Sequence, residues 1–296
     1  MDNQQRQTLD FFNSYAGEWF KQGQGINVNE VNVIAQRNNY VLQVIEGRLA
    51  TESFLDVGCG TGDLVRDVAR RGIRSSGIDF AKEMISIAEN NVDPEIRENI
   101  SYVCDSVFNY QFQSASYDVV SLNGFIEYIS FDEFKILMRR IFEGLKPNGS
   151  LIVGSRNRLF NIMSFNNFTA REIEHGDVES LLKEILFWTG AFRANEMFEI
   201  DVPDIQVSGW EHDDTGIKVR SRYQYTPVQL MRFLSEVGFT YQDIHPIHVH
   251  GISPSLQKLY PEIHANLSLM LQQNIVDKKK LLPYSSSFML HFTKAK

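Results

Sequence analysis

Two cysteines, a single short cationic run and no long apolar stretch are what this chain of 296 residues has least of. Cys59 and Cys104 have no spacing that reads as a disulfide framework or a zinc site, so a reducing, cytoplasmic setting is expected. The start, Met-Asp-Asn-Gln-Gln-Arg-Gln, lacks an apolar h-region, and no run approaches the roughly 18 apolar residues of a membrane span. The Asn-Phe-Thr and Asn-Leu-Ser sequons then carry no meaning. Positive charge is also scarce: Lys and Arg number 29 against 37 Asp and Glu, and the net charge of −8 argues against nucleic acid as a partner. The run Lys278 to Lys280 reads as a solvated helix end. Apolar residues make up 43%, enough for a proper core in one large domain or two small ones.

What is present is concentrated from Phe54 to Leu64: a short apolar strand with an acid inside it, Asp56, followed by glycines at every second position, Gly58, Gly60 and Gly62. A strand that ends in such a turn and enters a helix lets backbone N–H groups approach a polar ligand, because glycine has no Cβ in the way. The dinucleotide fingerprint Gly-x-Gly-x-x-Gly has a different spacing. A second acid, Asp79, closes the next apolar strand, where open α/β folds set a carboxylate on ribose hydroxyls. Asp56, the alternating glycines and Asp79 together resemble the first motif region of the class I S-adenosylmethionine-dependent methyltransferases. The Leu-Lys-Pro-Asn-Gly turn at 145–149 is a further point of resemblance, which is specific over residues 54–154.

The resemblance implies S-adenosyl-L-methionine as cofactor and an α/β fold, a doubly wound, seven-stranded, mostly parallel Rossmann-like sheet closed by an antiparallel hairpin. Hydrophobic periodicity agrees, with strands expected at about 75–79, 100–104, 117–122, 150–154, from 241, and 287–293. Ser130 with Glu133 reads as a capping box, and Thr226-Pro227-Val228-Gln229 opens a capped helix closed by Gly238. Residues 1–50 form N-terminal helices serving as a lid, 51–155 the cofactor-binding core, and 223–296 the remainder of the sheet. Between them, 156–222 breaks the alternation. Its Phe160, Phe165, Phe168, Trp188 and Trp210 suggest a cap inserted after strand five, overhanging the acceptor site.

The same resemblance places Tyr15, in an aromatic stripe with Trp19, over the cofactor, although that stripe equally suits ordinary helix packing. Arg37 matches an arginine that grips the methionine carboxylate in some family members; a surface arginine is the alternative. Asp105 and Ser106 follow the third strand, where an acid meets the adenine amino group, or they cap a turn. Phe80, Met84, Asn123 and Gly124 join Asp56, Gly58, Gly60 and Asp79 in the expected cofactor set. For catalysis, a histidine common after strand four is replaced by Glu127-Tyr128, which leaves Tyr128 as a candidate. His212, between Trp210-Glu211 and Asp213-Asp214, is the second candidate, as a base with an orienting acid, a metal site or a solvated turn.

No metal site is expected. His248 and His250 share a face at period two, but no nearby acid or cysteine has a matching spacing. The reading is a methyltransferase acting on a small or medium-sized acceptor, such as a sugar, lipid-like molecule or secondary metabolite, at oxygen. An NAD-dependent oxidoreductase and a non-catalytic S-adenosylmethionine-binding protein are the alternatives, and homodimerisation through the cap is a further expectation.

Overall fold

The structure, a computed structural model, describes residues 3–24, 32–190, 199–209, 219 and 221–295. Two helices, α1 (Asn3–Gln24) and α2 (Val33–Glu46), precede β1 (Ser53–Val57), α3 (Asp63–Ala69), β2 (Arg74–Asp79), α4 (Lys82–Asn90), β3 (Ile100–Cys104), β4 (Tyr117–Leu122), α5 (Phe131–Gly144) and β5 (Leu145–Arg156). Three helices, α6 (Phe160–Ser164), α7 (Asn167–His175) and α8 (Val178–Trp188), and two short strands, β6 (Gln206–Gly209) and β7 (Ser221–Gln224), follow. The chain continues through α9 (Pro227–Val237), β8 (Phe239–Val249), α10 (Pro254–Leu259), α11 (Pro261–Asn274) and β9 (Ser285–Lys294).

Seven strands pair in the order β3-β2-β1-β4-β5-β9-β8, while β6 and β7 form a separate antiparallel pair. The first five strands of that order run parallel, and β9 is antiparallel to both β5 and β8. This is the expected doubly wound sheet. Its central strands are short apolar runs because helices cover both faces: Leu55, Val57, Val119, Val120 and Leu122 have no exposed surface. Strand order reverses between β1 and β4, so the connections leave in opposite directions and a crevice opens at the carboxyl ends of these two strands.

Local chemistry fixes the helix ends. In α5 the Ser130 hydroxyl accepts from the Glu133 N–H while the Glu133 carboxylate accepts from the Ser130 N–H, and Thr226 with Gln229 repeats this reciprocal arrangement on α9. Two strands begin earlier than their apolar pattern suggests. The Lys146 to Gly149 turn is drawn into β5 because Leu145 already pairs with Tyr117, and β8 starts at Phe239, opposite Lys294.

The segment 156–222 differs most from expectation. Leu159, Leu181 and Trp188 belong to the main apolar core together with Val228, Leu230 and Leu282. Arg158, with no exposed surface, anchors the segment from inside: its Nη2 donates to Glu172 at 2.7 Å and Asp177 at 2.5 Å, and its Nη1 to the Asp204 carbonyl at 2.6 Å. Among its described aromatics, Phe160, Phe168 and Trp188 are buried and Phe165 is largely exposed. Among the described residues, this segment thus contributes Leu159, Leu181 and Trp188 to the main core. Trp210 and His212 lie outside the described residues.

Candidate active site

A cleft enclosing about 1140 Å³, its open mouth included, sits at the crevice between β1 and β4. Its floor is the turn after β1. Gly58 and Gly60 have φ of +72° and +52°, the left-handed region that side-chained residues avoid. A Cβ on Gly58 would meet the Phe125 ring at 2.6 Å, whereas one on Gly60 would reach nothing closer than Trp19 Nε1 at 3.4 Å and would project into open cleft. Gly58 is thus required by packing as well as by its backbone, and Gly60 by its backbone, its Cβ position facing Trp19 and Met84 of the cleft lining.

Asp79, at the end of β2, ties the two halves of the floor. Its Oδ2 accepts from the Gly60 N–H at 3.0 Å and its Oδ1 from the Ala81 N–H at 2.9 Å. Burial raises its pKa and these backbone donors pull it down. The Phe80 N–H also acts on it, and since a carboxylate has about four acceptor positions, capacity for a ligand donor remains. Asp56, inside β1 and buried, accepts from the Ser121 hydroxyl. Burial pushes its carboxyl up to about 7; the Ser121 bond opposes this and the Asp79 charge adds to it.

The other expected cofactor residues also line the cleft: Arg37, Phe80, Met84, Asp105, Ser106, Asn123 and Gly124. Asp105 accepts from the Ser106 N–H at 2.6 Å and Asn109 Nδ2 at 2.8 Å, so it caps its own turn while bordering the cleft. Arg37 is no surface arginine. Its Nη2 donates to Ser287 Oγ at 2.9 Å and lies 3.7 Å from Glu127 Oε1, and desolvation lowers its pKa. Gly124, with φ of +69°, lets this guanidinium lie against the backbone where any Cβ would overlap it. Asn123 Nδ2 donates to Asn38 Oδ1 at 3.3 Å, and Asn123 Oδ1 is buried with no hydrogen-bond partner among the described residues.

Tyr15 is a correction. It stacks on Phe11 at 5.2 Å and accepts from Gln22 Nε2 at 2.7 Å, and it does not line the cleft. Helical spacing explains this: Gln5, Thr8, Phe12 and Trp19 of α1 form the stripe facing the cleft, and Tyr15 lies at its border. Of the cap, no described residue from 156–222 lines the cleft, whereas Gln5, Thr8, Phe12 and Trp19 of α1 do. Tyr128 does line it, buried, edge-on to Phe12 at 5.2 Å; burial raises the phenol pKa, against the pull of Arg222.

Sequence reasoning missed the ionic group behind Tyr128. Glu127, 2% exposed, accepts from Arg222 Nη2 at 2.6 Å, and the Arg222 guanidinium lies 5.5 Å from the Tyr128 ring centre. Arg156, at the end of β5, stands beside the same group, its pKa lowered to about 10 by desolvation and by Arg222. Its guanidinium lies 5.6 Å from the Phe168 ring centre. The pair Glu127-Tyr128 signalled a departure from histidine; its partner, 95 residues away, gave no local signal.

Residues 54–149 match the family model described as a methyltransferase domain. Among curated relatives, ubiquinone biosynthesis O-methyltransferase of Vibrio parahaemolyticus is 29% identical over 156 residues, covering 52% of this chain and 63% of the relative. The protein of the same name from Proteus mirabilis is 28% identical over 158 residues, covering 53% and 62%. The chain thus spans less than two thirds of the length of these curated relatives. Among solved structures, magnesium protoporphyrin IX methyltransferase of Synechocystis with bound SAH aligns with a TM-score of 0.56 at 13% identity, covering 99% of this chain and 100% of that one. A Burkholderia thailandensis 1,6-didemethyltoxoflavin-N1-methyltransferase aligns at 0.52 and 12% identity, covering 96% and 88%. At these identities the likeness is one of fold.

Proposed function

We propose that this chain, which has the class I methyltransferase fold and carries a methyltransferase domain over residues 54–149, binds S-adenosyl-L-methionine in the cleft and methylates a small-molecule acceptor at oxygen. One observation carries the reading: Asp79, Gly60 and the unpartnered Asn123 Oδ1 converge at the carboxyl ends of β2, β1 and β4, in a cleft that a Cβ on Gly60 would enter. These groups suit a ligand with vicinal hydroxyls and an ammonium. Asp79 would accept from the ribose hydroxyls, Asn123 Oδ1 from the amino group, and Arg37 would face the carboxylate, with Asp105 at the adenine amino group. Phe80, Met84 and Val107 give the base an apolar slot.

When bound, the cofactor supplies a sulfonium methyl that an acceptor oxygen takes by in-line displacement, so placement of that oxygen governs the rate. Tyr128 and Phe12 border the cleft where the acceptor enters. With its pKa raised, the Tyr128 hydroxyl stays protonated and orients the acceptor by donating a hydrogen bond. Helix α1 excludes water from the reacting centre through Phe12 and Trp19. O-methylation is favoured by the curated relatives named as O-methyltransferases.

Calorimetry with S-adenosylhomocysteine and with NAD tests the cofactor, and a tritiated-methyl assay against a metabolite extract tests transfer. Binding of S-adenosylhomocysteine alone, with label passing to an extractable small molecule, is the expected outcome. NAD binding would return the oxidoreductase reading, and cofactor binding without transfer to any acceptor would return the non-catalytic one.

A further inference from the structure

Outside the cleft, three histidines meet where β8 ends. His248 and His250 stand at the end of β8 and just beyond it, and His264 comes from α11. Ring centres lie 4.2 Å apart for His248 and His250, 5.0 Å for His250 and His264, and 6.0 Å for His248 and His264. One nitrogen from each ring can be chosen so that all lie within 4.8 Å of one another. His250 is 7% exposed and His264 2%.

Their hydrogen bonds are the anomaly. Both ring nitrogens of His250, both of His264, and Nε2 of His248 are buried with no partner among the described residues. Buried polar groups are nearly always satisfied, and among these five unsatisfied nitrogens the three rings offer one each to a common point, which asks for something that takes lone pairs. His248 Nδ1 is already engaged with Ser286 Oγ at 3.0 Å, which leaves Nε2 as the free atom, as in metal-binding histidines held by a second partner. His248 also adopts φ of +55°, a left-handed backbone rare for a side-chained residue, and its N–H donates to Gln36 Oε1 at 2.8 Å. The Ser268 hydroxyl donates to the Val249 carbonyl at 2.5 Å, fixing α11 against the strand end.

We propose that His248, His250 and His264 bind one divalent transition-metal ion of the zinc type, with three imidazole ligands and the remaining position open. Imidazole suits zinc and its first-row neighbours, and three histidines with one free position is the ligand pattern of catalytic rather than structural zinc. A tetrahedral set with metal–nitrogen bonds of about 2.0–2.1 Å needs nitrogens about 3.3 Å apart, so small ring rotations bring the trio together. Burial lowers the pKa of all three rings and keeps them in the neutral, ligating form.

The charged groups facing the cluster are Arg37 from α2, toward His248, and Arg156 from β5, toward His248 and His250; Phe160 covers His250 with ring centres 4.4 Å apart. No described carboxylate or cysteine joins the trio. Two neighbouring guanidiniums oppose a bare dication, so the open position favours an anionic oxygen ligand that Arg156 can also meet. Arg37 lines the cleft as well, which puts this ion next to the proposed active site while its existence does not depend on methyl transfer.

The test is titration of the full-length, tag-free, chelator-stripped chain with cobalt and zinc, read by the visible band of four-coordinate cobalt and by calorimetry. One equivalent should bind, and His264→Asn or His250→Ala should weaken it at least about 100-fold, Ser286→Ala about 10–100-fold. His291→Ala should leave metal affinity unchanged. S-adenosylhomocysteine affinity within twofold of the parent certifies that each variant is folded. A parent that shows neither a cobalt band nor zinc heat overturns the site, as does binding that survives both histidine substitutions in folded variants.

Discussion

The two walls of the cleft are built on opposite principles. The wall formed by β1, β2 and the turn between β1 and α3 uses backbone N–H groups, glycines and two carboxylates, all within residues 56–81, and apart from the Ser121 hydroxyl on Asp56 its contacts stay within that stretch. The side behind β4 uses full charges: Glu127 with Arg222 and Arg37, brought from afar, and, outside the cleft lining, Arg158 with Glu172 and Asp177. A backbone cradle needs only a tight turn and accepts any ligand of the right outline. Buried ion pairs cost desolvation and hold only when every partner is present, so they set one geometry for groups far apart in sequence. The contrast suggests a division of labour, with the common cofactor met by the local wall and what distinguishes this chain met by the distant one.

The strongest way to break that contrast is Arg158→Met. It leaves Glu172 and Asp177 without their buried cation, and loss of one partner of such a pair costs about 3–5 kcal/mol. Urea unfolding should show a fall of that order, with S-adenosylhomocysteine affinity of the folded protein within twofold of the parent. A loss of affinity equal to the loss of stability would mean that the walls are one unit. On the other side, Asp79→Ala should weaken S-adenosylhomocysteine by about 2–3 kcal/mol, since each bond to a charged group contributes about 1.5–3 kcal/mol. Parental affinity measured by calorimetry would remove Asp79 from the cofactor.

The same contrast explains what could be read beforehand. The capping boxes at Ser130 and Thr226 are set by neighbours within a few residues, the glycine turn and Asp79 by one short βαβ stretch, and these were legible together with the boundaries of β3 and β4. Arg37 was ambiguous because its fate depends on Ser287 and Gly124, which only the sheet brings to it. The segment 156–222 was read from its aromatics, and its described part packs differently from a free lid. Their number suggested a lid in search of cover, yet Leu159, Leu181 and Trp188 join the main core, Arg158, next to Leu159 in sequence, is buried, and Phe160 and Phe168 are buried as well. His264 could not be matched to His248 and His250 because the junction between β8 and α11, and not any sequence interval, brings it close.

A smaller effect sharpens the contrast from the cover side. Trp19 and Phe12 stand edge-on with ring centres 6.0 Å apart, and Trp19 Nε1 is what a Cβ on Gly60 would first approach. Because α1 lines the cleft through Trp19, Trp19→Ala should weaken S-adenosylhomocysteine by about 1 kcal/mol, the scale of one aromatic contact. Hydrogen exchange in α1 should slow on ligand binding in the parent and slow less in the variant. Unchanged exchange in α1 would return the covering role to another segment.

Asp56 tests whether the local wall is free of buried charge, because it is the one group there that is placed like those opposite. It is 3% exposed, and its described side-chain bond is to a neutral hydroxyl, that of Ser121. Its folded pKa of about 7 lies above the ordinary carboxylate value of 3.8, so between these values the folded state holds more protons than the unfolded state. Stability from this group is then fully present below about pH 4 and is lost as pH rises towards 7, where the carboxylate ionises in place. Asp56→Asn keeps an acceptor for Ser121 and removes the proton. The stability difference between variant and parent should shift in the variant's favour from pH 4 to 7 and level off above, in urea unfolding at each pH. A difference that stays flat would mean that Asp56 ionises in the fold as readily as in water, and the local wall would then carry a tolerated charge of its own.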